Sequence, residues 1–177
     1  MENQEFDKAK SVAFTGHRFI RENNAKQTEK LLRAEIVSLY NKGYRYFYCG
    51  MAIGFDLLAA EIVLELKKTL CKQIKLVAAV PFRNQTERYS DENKARYEAI
   101  IKKASKVYVL QEKYTYGCLL KRNDFMLRHV SYVIAYLDRT EQGGTFYTCR
   151  RAIDRGIAAK NLFRPDLNRL FFPKMPK

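Results

Sequence analysis

Five times along the chain a short apolar run gives way to a stretch with helical periodicity, and this alternation limits the fold more than any other feature. Residues 11–15 are the first run, stopped by Gly16. A helix over 27–42 follows, because Leu32, Ile36, Leu39 and Tyr40 fall on one helical face and Gly43 supplies a C-cap. Residues 44–49 form a second strand closed by Gly50, and a long helix over 55–70 carries Leu58, Ile62, Leu66 and Leu70 at intervals of four. A third strand over 75–80 stops at Pro81 and precedes a helix over 91–104, with Tyr97, Ile100, Ile101 and Ala104 on one face. A fourth strand over 106–110, a helix over 119–129, a fifth strand over 132–137 and a last helix over 145–155 complete the pattern. Residues 170–172 read as an added edge strand.

Repeated β-α units predict an α/β fold: a Rossmann-like, doubly wound, mainly parallel sheet of about five strands with helices on both faces. In such sheets ligands bind beyond the carboxyl ends of the strands, where the strand order reverses. A length of 177 residues suits one domain, and no Pro/Gly/Ser-rich linker or repeat divides it. The expectation is a single domain over 1–177, with terminal extensions at 1–10 and 160–177.

Composition narrows the setting. No run of about 18 apolar residues occurs, so no membrane insertion is expected. Residues 1–10 are polar and charged, without the apolar segment of a signal peptide, and the expected location is cytoplasmic. Cys49, Cys71, Cys118 and Cys149 form no CxxC pair; they read as buried apolar residues, and no metal site is expected. With 33 Lys+Arg against 19 Asp+Glu, the formal net charge is +14, which attracts nucleotides, nucleic acid or other anions. The charge is spread along the chain, so a general aid to solubility explains it equally well. Its one concentration is the tail over 160–177, where Lys160, Arg164, Arg169, Lys174 and Lys177 interleave with Phe163, Phe171 and Phe172. A homo-oligomer is compatible with all of this, although no feature marks an interface.

The informative motifs lie at strand ends. Thr15-Gly16-His17-Arg18 offers close backbone approach, a hydroxyl, a titratable ring and a bidentate phosphate donor; the plainer reading is a glycine turn with solvated side chains. Gly50-Met51-Ala52-Ile53-Gly54-Phe55-Asp56 leads into a helix, so its glycines set free amides at a helix N-terminus. It is neither GxGxxG nor a P-loop. Asp56 can hold a ribose hydroxyl or simply favour the first helical turn. Glu61 lies five residues on, about 140° around the helix, so the two acids do not form a dyad. Pro81, with Phe82 and Gln85, shapes a loop or ends a strand; Lys121-Arg122-Asn123-Asp124 reaches a phosphate or a base, or is a solvated helix start. Gly143-Gly144-Thr145, after Asp138 and the fifth strand, joins glycine amides, a hydroxyl and a helix dipole in a phosphate cradle. No Gly-x-Ser-x-Gly elbow is present, and His17 and His129 are the only histidines.

Taken in order, Thr15-Gly16-His17-Arg18, Gly50-Met51-Ala52 with Gly54, Asp56, Ala60 and Glu61, Pro81-Phe82 and Gln85, Arg122-Asn123 and Met126, and Gly143-Gly144-Thr145 resemble the YpsA-like branch of the SLOG superfamily. The resemblance spans about residues 12–158. It implies a Rossmann-like fold with a pocket for nucleotides or their derivatives. It also implies kinship with the DNA-processing protein A family, which binds single-stranded DNA, with the LOG phosphoribohydrolases, and with SLOG sensor domains. The LOG pattern Gly-Gly-x-Gly-Thr-x-x-Glu departs from this chain, where Thr148 stands at the place of the acid.

The leading expectation is therefore a nucleotide-binding or sensing module. Gly50, Gly54, Gly143, Gly144 and Thr145 would hold phosphate, Arg18 and Arg122 would add positive charge, and Asp56 and Glu61 would meet ribose or base. Thr15, Gly16, His17, Met51, Ala52, Pro81 and Asn123 complete the expected site. No cofactor is implied beyond this nucleotide-like ligand. One alternative is hydrolysis of an N-glycosidic bond in a nucleotide, with Asp56 or Glu61 stabilising an oxocarbenium-like centre or activating water. A second is binding of single-stranded nucleic acid.

Overall fold

The computed structural model describes residues 6–138 and 141–163. After a 3-10 turn at Lys8–Lys10, strands and helices alternate: β1 Ser11–Gly16, α1 Glu22–Asn41, β2 Tyr46–Cys49, α2 Phe55–Lys68, β3 Lys75–Val80, α3 Asp91–Lys103, β4 Lys106–Val109, α4 Cys118–His129, β5 Tyr132–Tyr136, α5 Gly143–Asp154 and β6 Ala158–Asn161. All neighbouring strands are parallel, in the order β4-β3-β2-β1-β5-β6. The fold is the expected doubly wound α/β sheet.

Side-chain alternation along each strand feeds two cores. Val12, Phe14, Phe47, Cys49, Leu76, Ala78, Ile134 and Tyr136 face the layer of α1, α2 and α3. Ala13, Tyr48, Val77, Ala79, Val133 and Ala135 face the other layer, with Met126 and Leu127 of α4 and Cys149 and Ala152 of α5. All four cysteines are buried and unbridged. The alanines on the second face leave room for α4 and α5 to pack closely. Among the described residues no helix is long and apolar enough to cross a membrane.

The structure revises some boundaries. α1 starts at Glu22 rather than at 27, because its first turn is polar and shows no apolar period. α5 takes both glycines, Gly143 and Gly144, into its first turn. Leu70 lies beyond α2 and is exposed, so it does not continue the apolar face. β6 is a sixth strand where the sequence reading began a C-terminal extension. Beyond its parallel pairing with β5, side chains hold it: Lys160 Nζ lies 2.5 Å from the buried Glu35 carboxylate, and Asn161 Nδ2 donates to Leu137 O at 2.7 Å while its Oδ1 accepts from Leu137 N at 3.0 Å. The expected strand over 170–172 lies outside the described residues.

The chain winds from β1 outward through β2, β3 and β4, then returns to place β5 on the opposite side of β1. The carboxyl ends of β1 and β5 are therefore where the topology opens a crevice. Gly16 closes β1 against α2, and a Cβ at this position would overlap the side chain of Phe55, which is fully buried. Replacing Gly16 with alanine is expected to cost about 1–3 kcal/mol through overpacking, read as a lower urea midpoint with unchanged slope. An unaltered midpoint would show that Phe55 can move away.

Candidate functional site

A cavity of about 330 Å³ opens at this crevice. Phe14, Thr15, Gly16, His17 and Arg18 bring the end of β1 to it, Ala52 and Asp56 come from the entry to α2, Leu119, Leu120, Arg122 and Asn123 from α4, and Gly144 and Thr145 from α5.

The loop between β2 and α2 is held from several sides. Gly50 O accepts hydrogen bonds from Arg122 Nη1 and, at 3.0 Å, from Gln85 Nε2. A Cβ on Gly50 would occupy the place of the Arg122 guanidinium. Met51 is fully buried with a left-handed φ of 60°, a conformation unfavourable for a side chain of its kind. Its carbonyl accepts from Tyr89 Oη at 3.1 Å. Gly54 has φ 82°, and a Cβ there would overlap the backbone of Arg18. That approach lets Phe55 N donate to His17 O at 3.1 Å, while Leu57 N donates to Ala52 O at 3.2 Å. Two amides in the first turn of α2 are thus directed to protein carbonyls.

The first turn of α5 differs. Gln142 makes no side-chain cap, and Gly143 has φ 87°. Among the described residues a Cβ at Gly144 would find only Asn123 Nδ2 within 4 Å, at 3.7 Å. This helix start presents amides and a positive dipole end to open space, beside the hydroxyl-bearing Thr145, which suits an anion.

Two buried charged groups, Arg122 and Asp56, set the electrostatics. Arg122 is 6% exposed, and its Nε donates to Asn123 Oδ1 at 2.7 Å. Asp56 is 5% exposed, and its Oδ2 accepts from Ala52 N at 3.3 Å. Burial pushes its carboxyl up to about 6, against the opposing pull of Arg122, the Ala52 N–H and Arg18. Burial and the Asp56 carboxylate also push the Cys49 thiol well above its ordinary value, so it stays neutral and donates to Asp56 O at 3.2 Å. His17 Nε2 lies 3.0 Å from Asp138 N and 3.1 Å from Asp138 Oδ1, so a neutral ring accepts from the amide and a protonated one pairs with the carboxylate.

Of the residues singled out in the sequence, Thr15, Gly16, His17, Arg18, Ala52, Asp56, Arg122, Asn123, Gly144 and Thr145 line the cavity. Gly50, Met51, Gly54, Pro81 and Gly143 do not line it; Gly50, Met51 and Gly54 shape its wall. Glu61 faces α3 instead, in a two-bond ion pair with Arg96 at 2.7 and 2.8 Å. Leu119 and Leu120 were not singled out, since apolar residues opening a helix read as core. Tyr89 was missed too, because only the tertiary contact with the Met51 carbonyl reveals its part. Among the described residues no group of three or more His, Cys, Asp or Glu could hold a metal ion.

The YspA SLOG family matches residues 14–161. A UPF0398 protein of Staphylococcus epidermidis is 29% identical over 147 residues, covering 78% of each chain. A UPF0398 protein of Staphylococcus aureus is 25% identical over 128 residues, covering 71% of this chain and 68% of its own. Among solved structures, DNA processing protein A from Helicobacter pylori, described for its single-stranded DNA binding mode, superposes with a TM-score of 0.62 at 20% identity, covering 90% of this chain and 68% of that one.

The raised Asp56 carboxyl has a consequence for stability. Its folded-state value, about 6, exceeds the ordinary 3.8, so the folded protein holds this proton more tightly than the unfolded chain. The resulting stabilisation is complete below about pH 4 and is lost as pH rises through 6. Asp56→Asn should remove this dependence and be the more stable protein above pH 6, by roughly 3 kcal/mol at most. Urea melts of both proteins from pH 4 to 8 check this. Parallel curves across that range would show that Asp56 titrates normally.

Proposed function

Since the chain belongs to the YspA SLOG family, we propose that it binds a phosphate-bearing nucleotide unit at the carboxyl ends of β1 and β5. The observation that carries this reading is the uncapped start of α5, open at Gly144 and facing a cavity with two arginines. The phosphate sits at the Gly143-Gly144-Thr145 amides, where the dipole and N–H groups converge. Arg18, exposed at the rim, adds a mobile cation, whereas Arg122 is pinned to Gly50 and Asn123 and contributes a fixed field. Asp56 accepts from a ribose hydroxyl.

Such a unit can be free or part of a single strand. The likeness of fold to DNA processing protein A favours the strand, and so does the surface beside the cavity. Tyr116, 97% exposed just before α4, and Phe19, 73% exposed just after Arg18, are aromatic faces on which bases stack. The formal net charge of +14 adds long-range attraction. Hydrolysis of an N-glycosidic bond has less support. Glu61 is held by Arg96, and Thr148, at the place of the LOG acid, is fully buried with its hydroxyl on Gly144 O at 2.7 Å. Asp56 alone remains as an acid in the cavity.

The test is Gly144→Leu, which fills the cavity where the protein leaves space. The variant should melt at or above the wild-type temperature, because a helical glycine is lost. Its affinity for nucleoside monophosphates and for a single-stranded oligonucleotide should fall at least ten-fold by calorimetry. A strand bound through its phosphates will also weaken linearly in log salt. Undiminished affinity in the folded variant would remove the site from α5.

A further inference from the structure

A second cavity of about 360 Å³ adjoins the first. The two share His17 and Arg18 and have no other lining residue in common. The first joins Gly144, Thr145, Arg122 and Asp56 to the apolar Leu119 and Leu120, whereas the second sets the aromatic rings of Phe19, Tyr136 and Phe163 beside Arg18, Arg21 and Asp138. We infer that the second cavity is a nucleobase subsite, so that a nucleotide unit crosses the His17-Arg18 segment with its phosphate on α5 and its base between Phe19 and Phe163. The inference rests on the phosphate site proposed above.

Two independent observations support it. Tyr136 is 2% exposed, its ring is stacked on Phe55 at 5.7 Å and meets Phe163 edge-on at 5.5 Å, yet its hydroxyl has no hydrogen-bond partner among the described residues. Buried hydroxyls are nearly always satisfied, and a phenylalanine would pack equally well in this stack. A ring nitrogen or carbonyl of a base supplies the missing partner. The second observation is Phe19, a large ring 73% exposed between the guanidinium-bearing residues Arg18 and Arg21. An aromatic face flanked by arginines stacks a base of any sequence, through π and cation–π contact.

The experiment compares inorganic phosphate, ribose 5-phosphate and the four nucleoside 5′-monophosphates by titration calorimetry on the wild type, Phe19→Ala and Tyr136→Phe. Phe19 is exposed enough for its truncation to leave the fold intact, and Tyr136→Phe keeps the ring stack. In the wild type at least one monophosphate should bind about ten-fold or more tightly than ribose 5-phosphate. That advantage should vanish in Phe19→Ala and shrink in Tyr136→Phe, while ribose 5-phosphate binds all three proteins alike. The same losses with a single-stranded oligonucleotide would support the subsite with the base carried in a strand. Equal affinity for ribose 5-phosphate and every monophosphate in the wild type, or an advantage that survives both substitutions, would overturn the subsite while leaving the phosphate site standing. Failure of all these probes, oligonucleotide included, to bind the wild type would overturn the phosphate site and the subsite together.

Discussion

A guanidinium carried by α4 and buried against the end of β2 is the contact on which the carboxyl edge of this sheet depends. Burying a cation is costly unless it is both hydrogen-bonded and near an opposite charge. Arg122 meets both conditions, through Gly50 O, Asn123 Oδ1 and the nearby Asp56. The requirement runs in the other direction as well. Gly50 must lack a side chain because the guanidinium takes its place. Truncating Arg122 would leave the Gly50 carbonyl with Gln85 alone and would deprive the buried Asp56 of its principal counter-charge. One side chain thus joins α4 to β2 and sets the field of the cavity.

Glycines that look alike in the sequence do different physical work. Gly16, Gly50 and Gly54 are small because protein atoms occupy the space a side chain would need, namely Phe55, Arg122 and the Arg18 backbone. They let three segments converge tightly enough for the amides of Phe55 and Leu57 to be taken by the carbonyls of His17 and Ala52. Gly144, among the described residues, has only Asn123 Nδ2 near the place of a Cβ, at 3.7 Å. A glycine that packs against protein is explained by packing, whereas a glycine that faces a void at a helix start is a place for something else. Gly54 at the start of α2 is thereby set apart from Gly117 and Gly144 at the starts of α4 and α5, and of these Gly144 is the one that lines the cavity, where the proposed phosphate finds room.

The legible part of the fold was the part with apolar period. Residues 75–80 and 91–104 could be read almost to their ends, because the first is a continuous apolar run buried on both faces and the second packs Tyr97, Ile100, Ile101 and Ala104 on the core. The first turn of α1 is polar and exposed, and β6 is only Ala-Ala-Lys-Asn, so neither carries an apolar signal. β6 exists through tertiary bonds, Lys160 to Glu35 and Asn161 to the Leu137 backbone, which no local pattern announces. The site divides in the same way. Thr15, His17, Arg18 and Asp56 were legible because polar residues cluster where strands end. Glu61 was legible as a charge within an apolar stretch, but its partner is Arg96 on α3, a pairing across 35 positions that the sequence does not expose.

The position of Asp56 argues for an uncharged hydroxyl as well as an anion in the first cavity. An asparagine would fit the same space and accept from the same Ala52 N–H, without the cost of a buried charge. The carboxylate does serve as counter-charge to the buried Arg122, so its charge acts on the fold as well as on the cavity. Near neutral pH the ionised group repels a bare phosphate and attracts donors, so it works against the arginines for a simple anion and with them for a ligand that carries phosphate at one end and hydroxyls nearby. Discrimination of that kind needs an unfavourable term for the wrong ligand. In the proposed site a carboxylate 5% exposed beside Arg122 would supply that term, and the cost of its burial would be offset by selectivity.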